Sequence, residues 1–356
     1  MVKPLRQRAE QKFANELALL KEQDSAPKPQ GWQLSPRAVK AFILGEPELG
    51  VDKKYYGEVA LVERAIVSLM SNQGLMLVGP PGTAKSMLSE LLACAISGTS
   101  ELLVQGTAGT SEEQLKYTWN FAQLLSNGPS LEALVKSPIY HAMEQGKIAR
   151  IEELTRCPQE IQDALISILS EKQLTVPELG VSIQAQPGFN LIGTANLADK
   201  GVNEMSSALK RRFNFETVPV LQDPLQERRL IQSQVSAQLE QQSVSVAIAD
   251  ELVALLVQVF NDLRRKGQSN LQSLEAVLST AEAVNIVHAC ALQSHFLQQP
   301  LSGAHIAQQM HGSVIKDNVE DMVKLASYLD IIVRERAREQ AHWRDFFEAG
   351  KVLWMS

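Results

Sequence analysis

The segment Gly79-Pro80-Pro81-Gly82-Thr83-Ala84-Lys85-Ser86 decides how the rest of the sequence is read. Ahead of it, Leu75, Met76, Leu77 and Val78 are uniformly apolar, as expected of a strand buried on both faces. Behind it, residues 85–96 carry apolar side chains at helical spacing. A strand, a glycine-rich turn and a helix in that order aim successive backbone N–H groups and a helix N-terminus at one point, which is the geometry that receives a phosphate. Lys85 stands where it reaches the outer phosphate oxygens and Ser86 where its hydroxyl binds Mg2+. The strict phosphate-loop pattern has glycine where Ala84 stands, so the plainer alternative for these residues alone is a turn that opens a helix.

Working outward, residues 58–70 place Val59, Leu61, Val62, Ile66, Leu69 and Met70 at helical spacing. Short apolar segments at residues 102–104, 148–151 and 190–194 read as further strands separated by helices, the alternation of a parallel α/β sheet. Residues 173–184 differ: two alternating segments flank Pro177-Glu178-Leu179-Gly180, which reads as an inserted β-hairpin. Beyond Pro224 the pattern becomes helical, with helices expected over 226–241, 249–265, 273–298 and 314–347. Pro27, Lys28 and Pro29 interrupt a polar, charged N-terminal stretch. The resulting expectation is an N-terminal helical arm and linker (1–47), an α/β nucleotide domain (48–219), a helical lid (220–300) and a C-terminal helical extension (301–356).

Composition narrows the function classes. A chain of 356 residues with 45% hydrophobic and 21% charged residues matches a globular protein of roughly two domains. The sequence holds no apolar run of the ~18 residues that a membrane span needs. The first residues lack the apolar block of a secretory leader, and Cys94, Cys157 and Cys290 form no CxxC pair, so a reducing cytoplasm is the expected compartment. A net charge of −6 and an aromatic content of 5% disfavour a dedicated nucleic-acid binder.

Three further elements follow the phosphate-type loop in order. The strand at 148–151 runs into Glu152-Glu153. At such a strand end one carboxylate serves the Mg2+ shell (Glu152) and the next activates the attacking water (Glu153). The strand at 190–194 leads to Asn196, an amide able to hydrogen-bond a γ-phosphate and the lytic water. Lys210-Arg211-Arg212-Phe213 then supplies cations suited to an arginine finger that reaches a neighbouring subunit's nucleotide. Taken singly, each has an ordinary reading as a helix-end charge or a solvated pair.

The ordered series resembles an AAA+ P-loop NTPase core, and its details resemble the MoxR family over about residues 48–300. The loop with Ala84 before Lys85, Glu153 followed by Arg156-Cys157-Pro158, the 173–184 hairpin, and the stretch from Ala195-Asn196 through Asn203-Glu204-Met205 to Arg212-Phe213 carry the resemblance. It implies ATP and Mg2+ bound by Gly79, Pro80, Pro81, Gly82, Thr83, Ala84, Lys85 and Ser86. It also implies Glu152 on the metal side, Glu153 as base, Asn196 as sensor, and Arg212, with Arg211 second, as the finger. The implied assembly is a homo-oligomeric ring, usually hexameric, acting on a protein client with a partner that bears a von Willebrand factor A domain. A nucleotide-gated scaffold without turnover and a nucleic-acid-linked motor are the rival readings.

Two departures, the longer Glu152 and the missing lid arginine, predict slow hydrolysis. Glu152 is one methylene longer than the aspartate such sites usually carry, and Arg150 interrupts a strand that is normally apolar. Near Ser273-Leu274-Glu275, where a lid arginine is expected, an acidic residue stands, with Arg264 and Arg265 close by. His288, Cys290 and His295 do not share a helical face and read as core or surface residues. Trp343, Phe346, Phe347 and Trp354 read as intrachain packing rather than a docking tail. Tyr117 and Trp119 fall in the insert that this family turns towards the ring pore.

Overall fold

The computed structural model describes residues 6–197, 199, 201–264, 274, 278–316 and 318–355. Two compact units make up the chain: Met1–Pro80 with Ala84–Pro219, and Val220–Ser356 with Pro81–Thr83. Among the described residues no helix is long and apolar enough to cross a membrane.

In chain order the strands are β1 (Gly74–Val78), β2 (Leu103–Gln105), β3 (Tyr117–Trp119), β4 (Leu134–Lys136), β5 (Ile148–Glu152), β6 (Gln173–Val176), β7 (Val181–Gln184), β8 (Asn190–Ala195) and β9 (Phe213–Thr217). Five of them build the main sheet in the order β2-β5-β8-β1-β9, every pair parallel. All side chains of β1, β5 and β8 are buried, because helices cover both faces of this sheet. The chain leaves β1 for the far edge at β2 and returns through β5 and β8 beside it, so the carboxyl ends of β5, β8 and β1 lie side by side. That edge is where open parallel sheets bind ligands.

Two antiparallel hairpins are added to this frame. β6 and β7 pair around the turn at Pro177–Leu179, as the alternation of their residues implies. β3 pairs with β4, which the sequence reading does not contain: each holds three residues, too few for a visible period. β9 is also absent from that reading. It is an edge strand whose burial does not follow a period of two, since Phe213 and Glu216, on opposite faces, are buried while Phe215 and Thr217 are exposed, and the preceding cations point to a helix end instead. Glu216 lies buried on β9 because the Arg64 guanidinium donates to both its carboxylate oxygens at 2.9 Å.

Residues 6–44 belong to the α/β unit rather than hanging from it as an arm. Helices Ala9–Lys12, Ala14–Gln23 and Pro36–Leu44 bring Leu20, Trp32, Leu34, Val39, Phe42 and Ile43 into the core that also holds Leu75, Leu88 and Ile192. Polar ties fix the same segment: Glu10 accepts from the backbone N–H and hydroxyl of Ser100, and Lys54 donates to Glu16. Helix Ala14–Gln23 shows no clear apolar face, and Pro27, Lys28 and Pro29 separate it from the amphipathic helix Pro36–Leu44, which is why the sequence suggests a linker.

In the second unit, helices Pro224–Gln241, Asp250–Arg264, Thr280–Leu297, Gly303–Met310, Val319–Tyr328 and Ala341–Trp354 enclose one hydrophobic core. Residues on either side of position 300 share that core: Phe260, Val284 and Ile286 pack with Tyr328, Trp343, Phe346 and Trp354. The expected helix over 314–347 is broken at Lys316, which has φ of 55°, and restarts where the Asn318 side chain accepts from the Asp321 N–H as an N-cap. Trp343, Phe346 and Trp354 pack edge to face within the unit, the outcome expected of them. Phe346→Ala should therefore cost about 3–5 kcal/mol, and Leu297→Ala, at an exposed site, less than about 0.5 kcal/mol. Urea denaturation followed by the signal of the helical unit checks both.

Candidate functional site

The loop that follows β1 is held open by its backbone. Gly79, Gly82 and Ala84 have φ of 151°, 70° and 66°. Ala84 is thus left-handed at the position where the generic loop has glycine, a conformation that costs a side-chain-bearing residue about 1–2 kcal/mol. The Gly79 N–H donates to the Ala195 carbonyl at 3.3 Å, which ties the loop's start to the end of β8 and so to Asn196. Lys85 folds back over the loop, donating from Nζ to the carbonyls of Gly79 (2.9 Å) and Pro80 (2.7 Å). Burial lowers its pKa from the ordinary lysine value, opposed by the charges of Glu153 and Glu152.

Helix Lys85–Ser97 packs on the face of β5 that carries Ile148, Arg150 and Glu152, residues spaced by two along a strand. Ser86 and Ser89, one helical turn apart, therefore face Glu152 together. Ser86 Oγ donates to Glu152 Oε2 and Ser89 Oγ to Oε1, both at 2.6 Å. From β8, Thr194 Oγ1 donates to Oε2 at 2.6 Å, and from β5 itself Arg150 Nη2 donates to Oε1 at 2.8 Å. Each carboxylate oxygen thus accepts two hydrogen bonds, and only 5% of the residue is exposed. Burial opposes ionisation of Glu152, but the hydrogen bonds from Ser86, Ser89 and Thr194 and the Arg150 charge outweigh it, so its pKa falls below the usual value.

Glu153 is positioned differently. Its φ of 55° is left-handed, a strained conformation for a residue with a side chain, and its N–H donates to Thr194 Oγ1 at 3.1 Å. Thr194 therefore fixes both acidic residues at once. Glu153 Oε2 is buried without a hydrogen-bond partner among the described residues, and its ion-pair neighbour is Arg156 Nε at 3.5 Å. Arg156 is shared with Asp199 Oδ2 at 2.5 Å. The turn also needs Gly106: its N–H donates to the Glu152 carbonyl at 2.7 Å, and a Cβ there would lie 2.4 Å from the Glu153 carbonyl oxygen.

Asn196 follows β8 directly and is buried. Downstream, Asn203 donates from Nδ2 to the Cys157 carbonyl and from its N–H to Thr155, and Ser206 donates to Asp163, which fastens the loop after β8 onto the segment after the acidic pair. Of the two candidate finger residues, Arg212 is engaged within its own chain, donating to Ser170 Oγ and to the Ala208 carbonyl. Arg211 is exposed, and among the described residues its guanidinium has no hydrogen-bond or ion-pair partner.

Other candidates take structural places. Arg264 forms a bidentate pair with the buried Glu227 at 2.8 Å and donates to the Leu278 carbonyl within the helical unit. Ser273, Glu275 and Arg265, like Ala198 and Lys200, lie outside the described residues. Cys290 is buried in the helical core, which pushes its thiol up to about 12, His288 meets Gln242, and His295 packs on Phe296. Tyr117 and Trp119 lie on β3, where they help line a groove of about 710 Å³ bounded also by Phe121, Glu171 and Thr175. Tyr117 Oη donates to Glu178 in the β6–β7 turn at 2.7 Å. The sequence reading missed Ser89, Thr194 and Gly106, and it took Arg150 for a departure rather than a partner of Glu152. A serine one turn after Ser86 and a threonine two residues before Asn196 are the signals that would have found two of them.

Comparison with known proteins adds relatives to this geometry. The AAA domain (dynein-related subfamily) model matches residues 74–213, and the YehL-like AAA+ ATPase C-terminal domain model matches residues 225–354. Uncharacterized protein YehL of Escherichia coli (strain K12) is 46% identical over 347 residues, covering 96% of this chain and 95% of that protein. Uncharacterized protein SH1500 of Staphylococcus haemolyticus (strain JCSC1435) is 26% identical over 229 residues, 61% of this chain and 80% of that one. Among solved structures, NtrX from Brucella abortus in complex with ADP aligns at 14% identity with a TM-score of 0.49, over 83% of this chain and 64% of that chain.

Glu152→Gln leaves the buried Arg150 without its counter-charge and should lower stability by about 3–5 kcal/mol at pH 7. The native carboxylate titrates below about 4.3, the ordinary glutamate value, so its contribution is complete above that pH. It is lost as pH falls through the lower folded value, so the gap between wild type and variant should begin to narrow only below about pH 4.3 and close as pH falls through that folded value. Urea denaturation stepped from pH 7 downwards measures that gap.

Proposed function

Since the chain belongs to the YehL family of AAA+ ATPases, we propose that it is a Mg2+-dependent ATP hydrolase of MoxR type that works as a ring and remodels a protein client. The observation that carries the proposal is the meeting, at the carboxyl edge of β1, β5 and β8, of the loop residues Lys85 and Ser86 with two acidic residues in different states. Glu152 is saturated by donors, whereas Glu153 keeps one buried oxygen without a hydrogen bond. Two carboxylates made unlike by their surroundings suit two different roles.

The donor set fits a magnesium nucleotide. The backbone of residues 79–86 and the Lys85 ammonium would hold the phosphates, the ammonium exchanging its two loop carbonyls for phosphate oxygens. Ser86 offers an exposed hydroxyl whose proton already points at Glu152, leaving its lone pairs for Mg2+. Mg2+, when bound, would neutralise charge on the phosphate oxygens. The Glu153 carboxylate would take a proton from the attacking water, and the Asn196 amide would orient that water. Arg211, exposed in the single chain, and Arg212, once released from Ser170, would serve the nucleotide of the next subunit.

A protein client is supported by the exposed apolar side chains Phe121, Leu125 and Leu131 in the segment between β3 and β4, of which Phe121 lines the groove together with Tyr117 and Trp119. The net charge of −6 per chain would repel nucleic acid, more so in a hexamer. A partner bearing a von Willebrand factor A domain follows from the resemblance to MoxR proteins, and the three free, buried cysteines suit a cytoplasmic setting.

Glu153→Gln should leave nucleotide binding intact and lower turnover by about 10²–10⁴-fold, while Lys85→Ala should abolish binding. Specific activity should also fall on dilution as the ring dissociates. Single-turnover assays with labelled ATP, run beside sedimentation velocity, test this. Undiminished turnover by Glu153→Gln, or full activity from a demonstrated monomer, would refute the mechanism. Tight binding with no product over hours would replace the hydrolase with a nucleotide-gated scaffold.

A further inference from the structure

Arg150 is a buried cation inside the central strand of a site expected to attract Mg2+. Its guanidinium has five N–H groups, and four hydrogen bonds fix it in place. Nε donates to Ser89 Oγ (3.0 Å), Nη1 to the Ser100 carbonyl (3.2 Å), and Nη2 to the Ser86 carbonyl (3.0 Å) and Glu152 Oε1 (2.8 Å). The side chain is 5% exposed, so solvent screens the pair weakly. Two of its contacts, Ser86 and Glu152, are the residues that would serve the metal.

Resting on the nucleotide-binding reading above, we infer that Arg150 is a built-in counter-ion to Glu152, which positions that carboxylate and cancels its charge so that Mg2+ adds little to nucleotide affinity. In the generic arrangement the strand is apolar, the metal-side carboxylate is an aspartate, and two carboxylates against one lysine leave the empty site with an excess negative charge. Here Arg150, Lys85 and Arg156 match Glu152, Glu153 and Asp199, so a dication meets no net attraction from these six groups. The longer glutamate belongs to the same device. Its carboxylate already fills four acceptor positions with Arg150, Ser86, Ser89 and Thr194, and it would reach a metal only through the Ser86 hydroxyl.

The test is equilibrium binding of a fluorescent ADP analogue to the full chain, with EDTA and then with rising Mg2+. Wild type should tighten by less than about fivefold on adding Mg2+, whereas Arg150→Ile combined with Glu152→Asp, which restores the generic charge pattern, should tighten by about tenfold or more. The double variant keeps a carboxylate for the hydroxyl donors but leaves it buried without its counter-charge, so it should be less stable than wild type, and thermal unfolding checks that it is folded at the assay temperature before binding is read. Arg150→Lys and Glu152→Asp alone both retain the cation and should keep the flat response. A double variant that responds to Mg2+ like wild type, or Arg150→Lys that responds as steeply as the double variant, overturns the inference. Absence of any nucleotide binding by wild type would instead overturn the functional reading, and this inference with it.

Discussion

Ionised Glu152, buried between a helix and two strands, is the constraint on which the nucleotide-type site depends. A carboxylate in that position is stable only if its lone pairs are filled, and the four filling groups come from three elements of the chain. Ser86 and Ser89 come from the helix after the phosphate-type loop, Arg150 from the same strand and Thr194 from the neighbouring one. The hydrogen bonds thus fix the start of the helix, and with it Ser86, against the carboxyl ends of β5 and β8. Since the Gly79 N–H is tied to Ala195, the loop is anchored at both ends to the same sheet edge.

Glu153 follows from that arrangement. With Glu152 turned inward, the chain leaves β5 in a left-handed conformation, and the strain is held by the Thr194 hydroxyl and by the close approach of Gly106. Adjacent acidic residues therefore sit in opposite environments, one saturated and one with an oxygen that lacks a hydrogen bond. Arg156 stands between Glu153 and Asp199, so the segment after the acidic pair is linked electrostatically to the loop after β8. The helical unit uses the same principle once more: the buried Glu227 accepts from Arg264 and Thr280, so Arg264 holds that unit's own helices together.

Much of this was legible in the residues. Short, mostly apolar runs gave β1, β5 and β8 because strands covered on both faces lose their alternation, and Pro177 to Gly180 gave the turn of the β6–β7 hairpin because proline fixes φ and glycine permits the positive φ of a turn. Strands β3 and β4 and the edge strand β9 were not legible: β3 and β4 lack the run of three branched apolar residues that marks β2 at 102–104, and β9 is interrupted by polar residues that an edge strand tolerates. The N-terminal segment read as a linker because burial of Trp32 and Leu34 depends on distant partners such as Leu75 and Leu88.

The sequence by itself determined the order of the chemistry-bearing residues and the parallel α/β frame, because both follow from local pattern: a strand, a glycine-rich turn, a helix, and acidic or amide residues at strand ends. What each of those residues meets was set by the packing of the sheet and its helices. Arg150 read as an interruption because a cation in a buried strand is costly when considered alone. It becomes a partner once the fold brings Ser89, Ser100 and Glu152 within hydrogen-bond reach. Hydrogen bonding across strands and helices depends on distances between residues as far apart in sequence as Ser86 and Thr194, and only the packed sheet sets those distances.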